Sequence, residues 1–230
     1  LKGVKSFRFE VNESIGGVVS CGEMEFYRNA APVAGLTEVF ADELYSELRA
    51  DVDQRKIDGL ENSFFRMIAQ SLYDKTYDLE YRVQTYEPYR EINDLAAEMK
   101  TSGYNPFENP TGIYFKDGEE AVVIVGNTNG ERVSLKVYDF DAIRQGQRTP
   151  DPTSYPLNEG INKLRIAHGG LSYIEYYTPN WKTAPALKLH IASGKVNGYY
   201  DKHRDVSADW REILNKATYG CIDIKGDRVN

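Results

Sequence analysis

The chain has 230 residues, 41% of them hydrophobic and 27% charged, an ordinary globular composition with length enough for more than one folding unit. Its 28 Lys and Arg against 35 Asp and Glu give a net charge of −7, and the basic residues are scattered rather than gathered into a stripe, which argues against a nucleic-acid partner. No apolar run reaches the roughly 18 residues of a membrane span, and the first residues lack the basic-then-apolar pattern of a signal peptide, so any export signal is expected outside this chain.

In chain order, residues 1–29 hold two strand-like stretches, Ser6 to Val11 and Glu23 to Tyr27, joined by a turn-prone segment with Gly16-Gly17. They read as the closing hairpin of a β module whose beginning is absent. A helical unit over residues 30–105 comes next. Phe40, Leu44 and Leu48 recur every fourth residue; Phe64, Phe65, Ile68 and Leu72 repeat such a face after a cap at Asn62; Ile92, Leu95, Ala96 and Met99 make a third stripe.

From Asn109 the period changes to two. Strands are predicted at Gly112 to Phe115, Ala121 to Val125, Val133 to Phe140, Ile161 to Ala167, Leu171 to Tyr177 and Ala186 to Ala192. Turn chemistry punctuates them: Asp117-Gly118, Gly126 to Gly130, Gly169-Gly170 and Ser193-Gly194. A last helix runs from a Ser207 cap through Trp210 and Leu214, and Ile222 to Val229 reads as a hairpin turn leading into a missing strand. Both ends therefore look like cuts. The fold class is α+β, mainly β: an antiparallel β-sandwich over residues 106–230 preceded by the small helical unit.

Chemistry is sparse. Zinc hydrolysis needs two histidines one helical turn apart with a general-base Glu between them, and none of His168, His190 and His203 begins such a motif. Gly170-Leu171-Ser172-Tyr173-Ile174 lacks the final Gly of a hydrolase elbow and sits in a strand, which makes Ser172 a sheet serine. Asp139 and Asp141, near Asp151, offer oxygen ligands to calcium without the twelve-residue loop pattern; otherwise they belong to a solvated turn. No phosphate-cradling Gly motif occurs. Asn12-Glu13-Ser14 fits an N-glycosylation acceptor, a short motif of little weight by itself. Cys21 and Cys221 are too few for a disulfide framework and too far apart in sequence for a zinc pair; two unpaired thiols or one long-range disulfide both fit.

The composition stands out in its aromatics: 17 Tyr, nine Phe and two Trp, with Tyr173, Tyr176, Tyr177 and Trp181 crowded into one strand and the loop after it. Aromatic faces stack on sugars as well as on each other. Alternation puts Tyr173, Glu175 and Tyr177 on one face and Ile174 and Tyr176 on the other, so at least one face is core. Tyr177, Trp181, Tyr199 and Tyr200 are the candidate ligand-binding residues; no catalytic residue and no metal ligand is assigned.

Three ordered segments carry a resemblance: Asn109-Pro110-Thr111-Gly112-Ile113-Tyr114, Leu157-Asn158-Glu159-Gly160-Ile161-Asn162, and Gly169-Gly170-Leu171-Ser172-Tyr173-Ile174. Together they resemble the front of the enhancin-like zinc metallopeptidases, peptidase family M60, secreted or surface enzymes of gut bacteria directed at mucin-type glycoproteins. Ala184-Pro185 to Ile191 and Asp209-Trp210 are similar to that family's continuation. The helical stretch with Phe64, Ala69, Leu72 and Tyr81-Arg82-Val83 resembles the linker unit of Bacteroides-type members, and residues 1–29 the end of a discoidin-like carbohydrate-binding sandwich.

The family's His-Glu-x-x-His helix follows C-terminally and is absent here, so no catalytic residue transfers. The resemblance implies a non-catalytic accessory or scaffold segment at a bacterial surface or outside the cell, with no cofactor in this chain and zinc in the full-length parent. The implied partners are the catalytic domain of the same polypeptide and host glycans or glycoproteins. Two other functions stay open: a carbohydrate-binding or adhesion module using the exposed aromatics, and a structural spacer with its aromatics committed to the core.

Overall fold

Period-two alternation from Asn109 onward folds into antiparallel strands. The computed structural model describes residues 33–101, 108–146 and 153–226; the chain divides into two compact units, residues 1–34 and 35–230, and nearly all described residues belong to the second. The hairpin expected over residues 1–29, with Asn12 and Cys21, lies outside the described residues, as do Asp151 and residues 227–230.

The strands are β1 (Val83–Tyr86), β2 (Pro110–Phe115), β3 (Glu120–Val125), β4 (Val133–Tyr138), β5 (Thr153–Leu157), β6 (Gly160–Arg165), β7 (Gly170–Glu175), β8 (Leu187–Ile191), β9 (Lys195–Val196), β10 (Tyr199–Asp201) and β11 (Asp223–Lys225). One sheet has the order β1-β8-β3-β6, the other β5-β4-β7-β2-β9, and every pairing in both is antiparallel. A short parallel pair, β10-β11, stands apart.

The two sheets share one core. Ala121, Val123 and Val125 of β3, Leu189 and Ile191 of β8, Leu135 and Val137 of β4, and Ile113 and Phe115 of β2 all point into it, each set two residues apart. Burying each large side chain of this set contributes about 1.5–3 kcal/mol. The mainly-β, α+β architecture expected from the alternation is the one observed.

The helices are α1 (Leu36–Val39), α2 (Gln54–Asp58), α3 (Ser63–Tyr73), α4 (Leu79–Arg82), α5 (Ile92–Met99), α6 (Phe140–Arg144) and α7 (Trp210–Lys216). Asn62 caps α3 as expected, accepting from the amides of Phe64 and Phe65. The helix predicted across Phe40, Leu44 and Leu48 is not formed. Asp42 accepts from the amides of Ser46 and Glu47 and from the Ser46 hydroxyl, Tyr45 takes a positive φ of 54°, and Phe40 pairs with Leu48 across the resulting loop. A four-residue apolar spacing suits this closed loop as well as it suits a helix. The final helix starts at Trp210, with Asp209 rather than Ser207 in the cap position, and β4 gives way at Asp139 to α6, which takes Phe140 out of the strand.

Both sheets are covered on their outer faces. Behind the first sheet, the fully buried His190 of β8 meets the Leu44 carbonyl through Nδ1 at 2.7 Å and the Tyr77 hydroxyl through Nε2 at 2.6 Å. Arg82 donates to the carbonyls of Ile191, Ser193 and Gly194. Residues 36–82 are thereby fastened to β8 and the turn after it. Behind the second sheet, Tyr138, Leu171, Tyr173 and Tyr219 form a separate cluster, and the Tyr173 hydroxyl donates to Asp223 Oδ1 at 2.8 Å.

The segments that carry the family resemblance do structural work. A Cβ on Gly170 would run into the Tyr138 carbonyl, and one on Gly112, at φ 71°, would meet the Tyr81 ring at 2.8 Å. Thr111 and Ser172 hydroxyls lie 2.6 Å apart in the interior, with Ser172 also donating to the Ile113 carbonyl; Ser172 is thus a sheet serine. Asn162 closes the β5–β6 turn, accepting from the Asn158 amide and donating to its carbonyl.

Candidate functional site

The aromatic-rich end of β7 opens into a groove. Beyond Glu175 the chain continues alongside residues 87–90: the Tyr89 amide donates to the Tyr176 carbonyl, the Thr178 amide donates to the Tyr89 carbonyl, and Tyr89 bridges to Tyr177 in parallel. Tyr176 turns into the core with its hydroxyl on the Pro185 carbonyl, while Tyr177 faces out. A turn then forms, with the amides of Asn180 and Trp181 on the Thr178 hydroxyl and carbonyl, and Trp181 is presented beside Tyr177.

Two walls flank this aromatic floor. One comes from Arg90, Glu91 and Asp94, where Glu91 caps α5. The other is the β3–β4 loop at Gly130, Glu131 and Arg132. Glu159 holds that loop by accepting from both the amide and the hydroxyl of Thr128 through one carboxylate oxygen. The groove has a volume of about 620 Å³.

Tyr177 is 45% exposed and Trp181 37%, and both line the groove. Tyr199 and Tyr200 do not join them. Tyr199 is only 4% exposed: its hydroxyl donates to Gln84, its ring meets the Tyr81 ring edge to face, and the Arg204 guanidinium lies 5.0 Å from its centroid. Tyr200 donates to the Asp205 carbonyl and packs edge to face on Trp210. Neither lines the groove, so of the four aromatics only Tyr177 and Trp181 come together there. Adjacency in sequence signalled aromatics without telling which ones the β10-β11 region would absorb.

Arg132, Glu131 and Asp94 were not singled out from the sequence. They come from separate stretches, and only the Gly126 to Gly130 turn hinted that a loop stands there. Among the described residues the side chains of these three have no hydrogen-bond or ion-pair partner, whereas Arg90 is held by Glu98.

Behind the groove lies a buried polar cluster. Lys136 Nζ sits 2.7 Å from Glu175 Oε1, both only 11% exposed, and Ser154 donates to the other carboxylate oxygen. The Tyr89 hydroxyl, whose ring tilts against Tyr177, is buried without a hydrogen-bond partner among the described residues. Burial, then the nearby carboxylates of Glu108 and Glu175, pushes it well above the ordinary tyrosine range.

No three His, Cys, Asp or Glu side chains come together to hold a metal among the described residues. His190 has both ring nitrogens engaged, His168 is in the exposed bend before β7, and His203 is in an exposed turn. Asp139 caps α6 and Asp141 pairs with Arg144, which leaves the calcium reading without free carboxylates at those two positions. Cys221 carries a free thiol. No helix among the described residues is long and apolar enough to cross a membrane.

Fold and site together define a two-sheet antiparallel sandwich with a helical layer and a surface groove. Residues 80–191 match the family model for the N-terminal domain of M60-like peptidases, from α4 to the last residue of β8, and this part of the chain belongs to that family. None of the curated proteins matches the sequence.

Among solved structures, a metallopeptidase from Bacteroides thetaiotaomicron is 30% identical with a TM-score of 0.74, over 90% of this chain and 36% of that one. A metallopeptidase in complex with Tn antigen is 33% identical with a TM-score of 0.58, over 67% of this chain and 29% of that one. A structure of the CBM32-1, CBM32-2 and M60 catalytic domains of Clostridium perfringens ZmpB shares the fold at 17% identity and a TM-score of 0.54, over 79% of this chain and 21% of that one. The chain therefore spans about a third of the length of the two metallopeptidase structures it matches at 30% identity or more.

Proposed function

We propose that this chain is the accessory, non-catalytic scaffold of a secreted or cell-surface zinc metallopeptidase that acts on mucin-type glycoproteins. The observation that carries the reading is the likeness to a metallopeptidase along 90% of the chain, without any convergence of metal-ligating side chains in the described residues. The residues present do not fit a zinc ion, since His190 is consumed by Tyr77 and Leu44 and the other two histidines stand in separate exposed turns. Zinc and the water-activating carboxylate then belong to the catalytic domain of the same polypeptide, this chain's partner.

The sandwich in this reading supplies a stiff support for that domain and for the glycoprotein substrate. Side-by-side measurement of zinc content and mucin-type glycopeptide cleavage, on the parent protein and on this chain, tests it. Zinc and cleavage in the parent alone are expected. A parent with neither, or cleavage by this chain by itself, overturns the reading.

A further inference from the structure

We propose that the groove floored by Tyr177 and Trp181 binds a short, uncharged oligosaccharide. The site goes beyond the scaffold role and does not depend on it. Its first support is shape: about 620 Å³ falls within the about 300–1,000 Å³ of small-molecule sites. Such a groove takes a few linked rings rather than a single ion.

The second support is the mixture of surfaces. A pyranose ring has an apolar face of C–H groups and a rim of hydroxyls, so it is recognised by an aromatic ring beneath it and polar groups around it. Tyr177 and Trp181 both line the groove and are both partly exposed. Lys182 lies 5.3 Å from the Trp181 ring centroid, and Trp181 keeps 37% of its surface exposed. Each sugar hydroxyl both donates and accepts, and the groove offers both roles: the Arg132 guanidinium donates, and the carboxylates of Glu131 and Asp94 accept. None of these three has an internal partner among the described residues, so a ligand would not have to break existing bonds to engage them.

The third support concerns charge. Arg90 and Arg132, with Lys182 beside Trp181, stand against Glu91, Asp94 and Glu131, three cations to three carboxylates, and Arg90 is already held by Glu98. No surplus of positive charge remains for the carboxylate of a sialic acid or for a sulfate, and three carboxylates on the rim repel either group. The groove is therefore selective for neutral sugars.

The test is binding of the full 230-residue chain to an array of free neutral oligosaccharides and their sialylated counterparts, with the best neutral sugar then titrated by calorimetry. Saturable binding of a neutral sugar is expected, with its sialylated form at least about fivefold weaker. Trp181→Ala and Tyr177→Ala should each weaken binding about tenfold, while Trp181→Phe, which keeps a ring, stays within about threefold. Arg132→Ala, a change at a loop residue outside the core, should also weaken binding and serves if an aromatic variant fails to fold. Absence of binding to any neutral sugar overturns the proposal, as does equal binding by folded Trp181→Ala and Arg132→Ala variants. Tighter binding of the sialylated forms overturns it as well.

Discussion

Asp223 illustrates how a single buried carboxyl tunes the region behind the second sheet. It accepts a hydrogen bond from Tyr173, but burial outweighs that bond and pushes its pKa up to about 6. With the folded value above the unfolded one of 3.8, its contribution to stability is complete below about pH 3.8 and is lost as pH rises through 6. Asp223→Asn keeps an oxygen acceptor for Tyr173 and cannot ionise. At pH 7.5 the variant should be more stable than the parent chain by up to about 3 kcal/mol, and the gap should close by pH 4. Urea unfolding of both proteins at the two pH values measures it, and an unchanged gap would contradict the assignment.

The same scale explains what the sequence let one read of the groove. Tyr177 and Trp181 were legible because aromatics crowded at a strand end and its loop are visible as letters. Tyr199 and Tyr200 lie outside the groove because Tyr199 is drawn inward by Gln84, from 115 residues earlier, while Arg204 and Trp210, a few residues further on, cover the two rings. Arg132 and Asp94 are ordinary surface letters until β7 brings the β3–β4 loop and the start of α5 to the same place.

Among elements, alternation identified the sandwich strands wherever one face is core and the turn between strands carries Gly. It missed β5, which contains Pro156 and is tolerated because β5 is an edge strand beside β4. It missed β1 because Val83-Gln84-Thr85-Tyr86 is only four residues long and follows a helical stretch. The link between residues 36–82 and β8 was also invisible, and it has its own pH response. Burial chiefly lowers His190 to about 4 from an ordinary 6.5, and the Arg82 charge acts in the same direction. A depressed folded value means that stability present above pH 6.5 is lost as pH falls toward 4, by about 3 kcal/mol in all. Hydrogen exchange should therefore show amides of the loop 40–48 and of α3 losing protection between pH 6.5 and 4, ahead of β2, β4 and β7. Simultaneous loss in all of them would place the acid-sensitive contact elsewhere.

For the whole molecule, residues 35–230 are one compact unit, with β1 from the helical stretch paired to β8 from the sandwich. At neutral pH, thermal unfolding followed by far-ultraviolet circular dichroism and by tryptophan fluorescence should give coincident transitions, since Trp181 and Trp210 report the sandwich side while the helical signal includes α3. Two separated transitions would instead mark an independent helical unit ending near residue 105. The groove, carried by the junction of α5, the β3–β4 loop and the end of β7, should lose any bound sugar in that same transition.

The pairing of β1 with β8 also fixes an order of events during synthesis. Val83 meets His190 and Tyr86 meets Leu187, so the segment made earlier has no place to dock until more than a hundred further residues have been made. Phe40, Tyr45 and Phe65 pack edge to face on one another within one short stretch, but the bonds of Leu44 and Tyr77 to His190 wait through that interval. The docking of residues 36–82 on the sandwich is thus a late step, because it depends on contacts of long sequence separation.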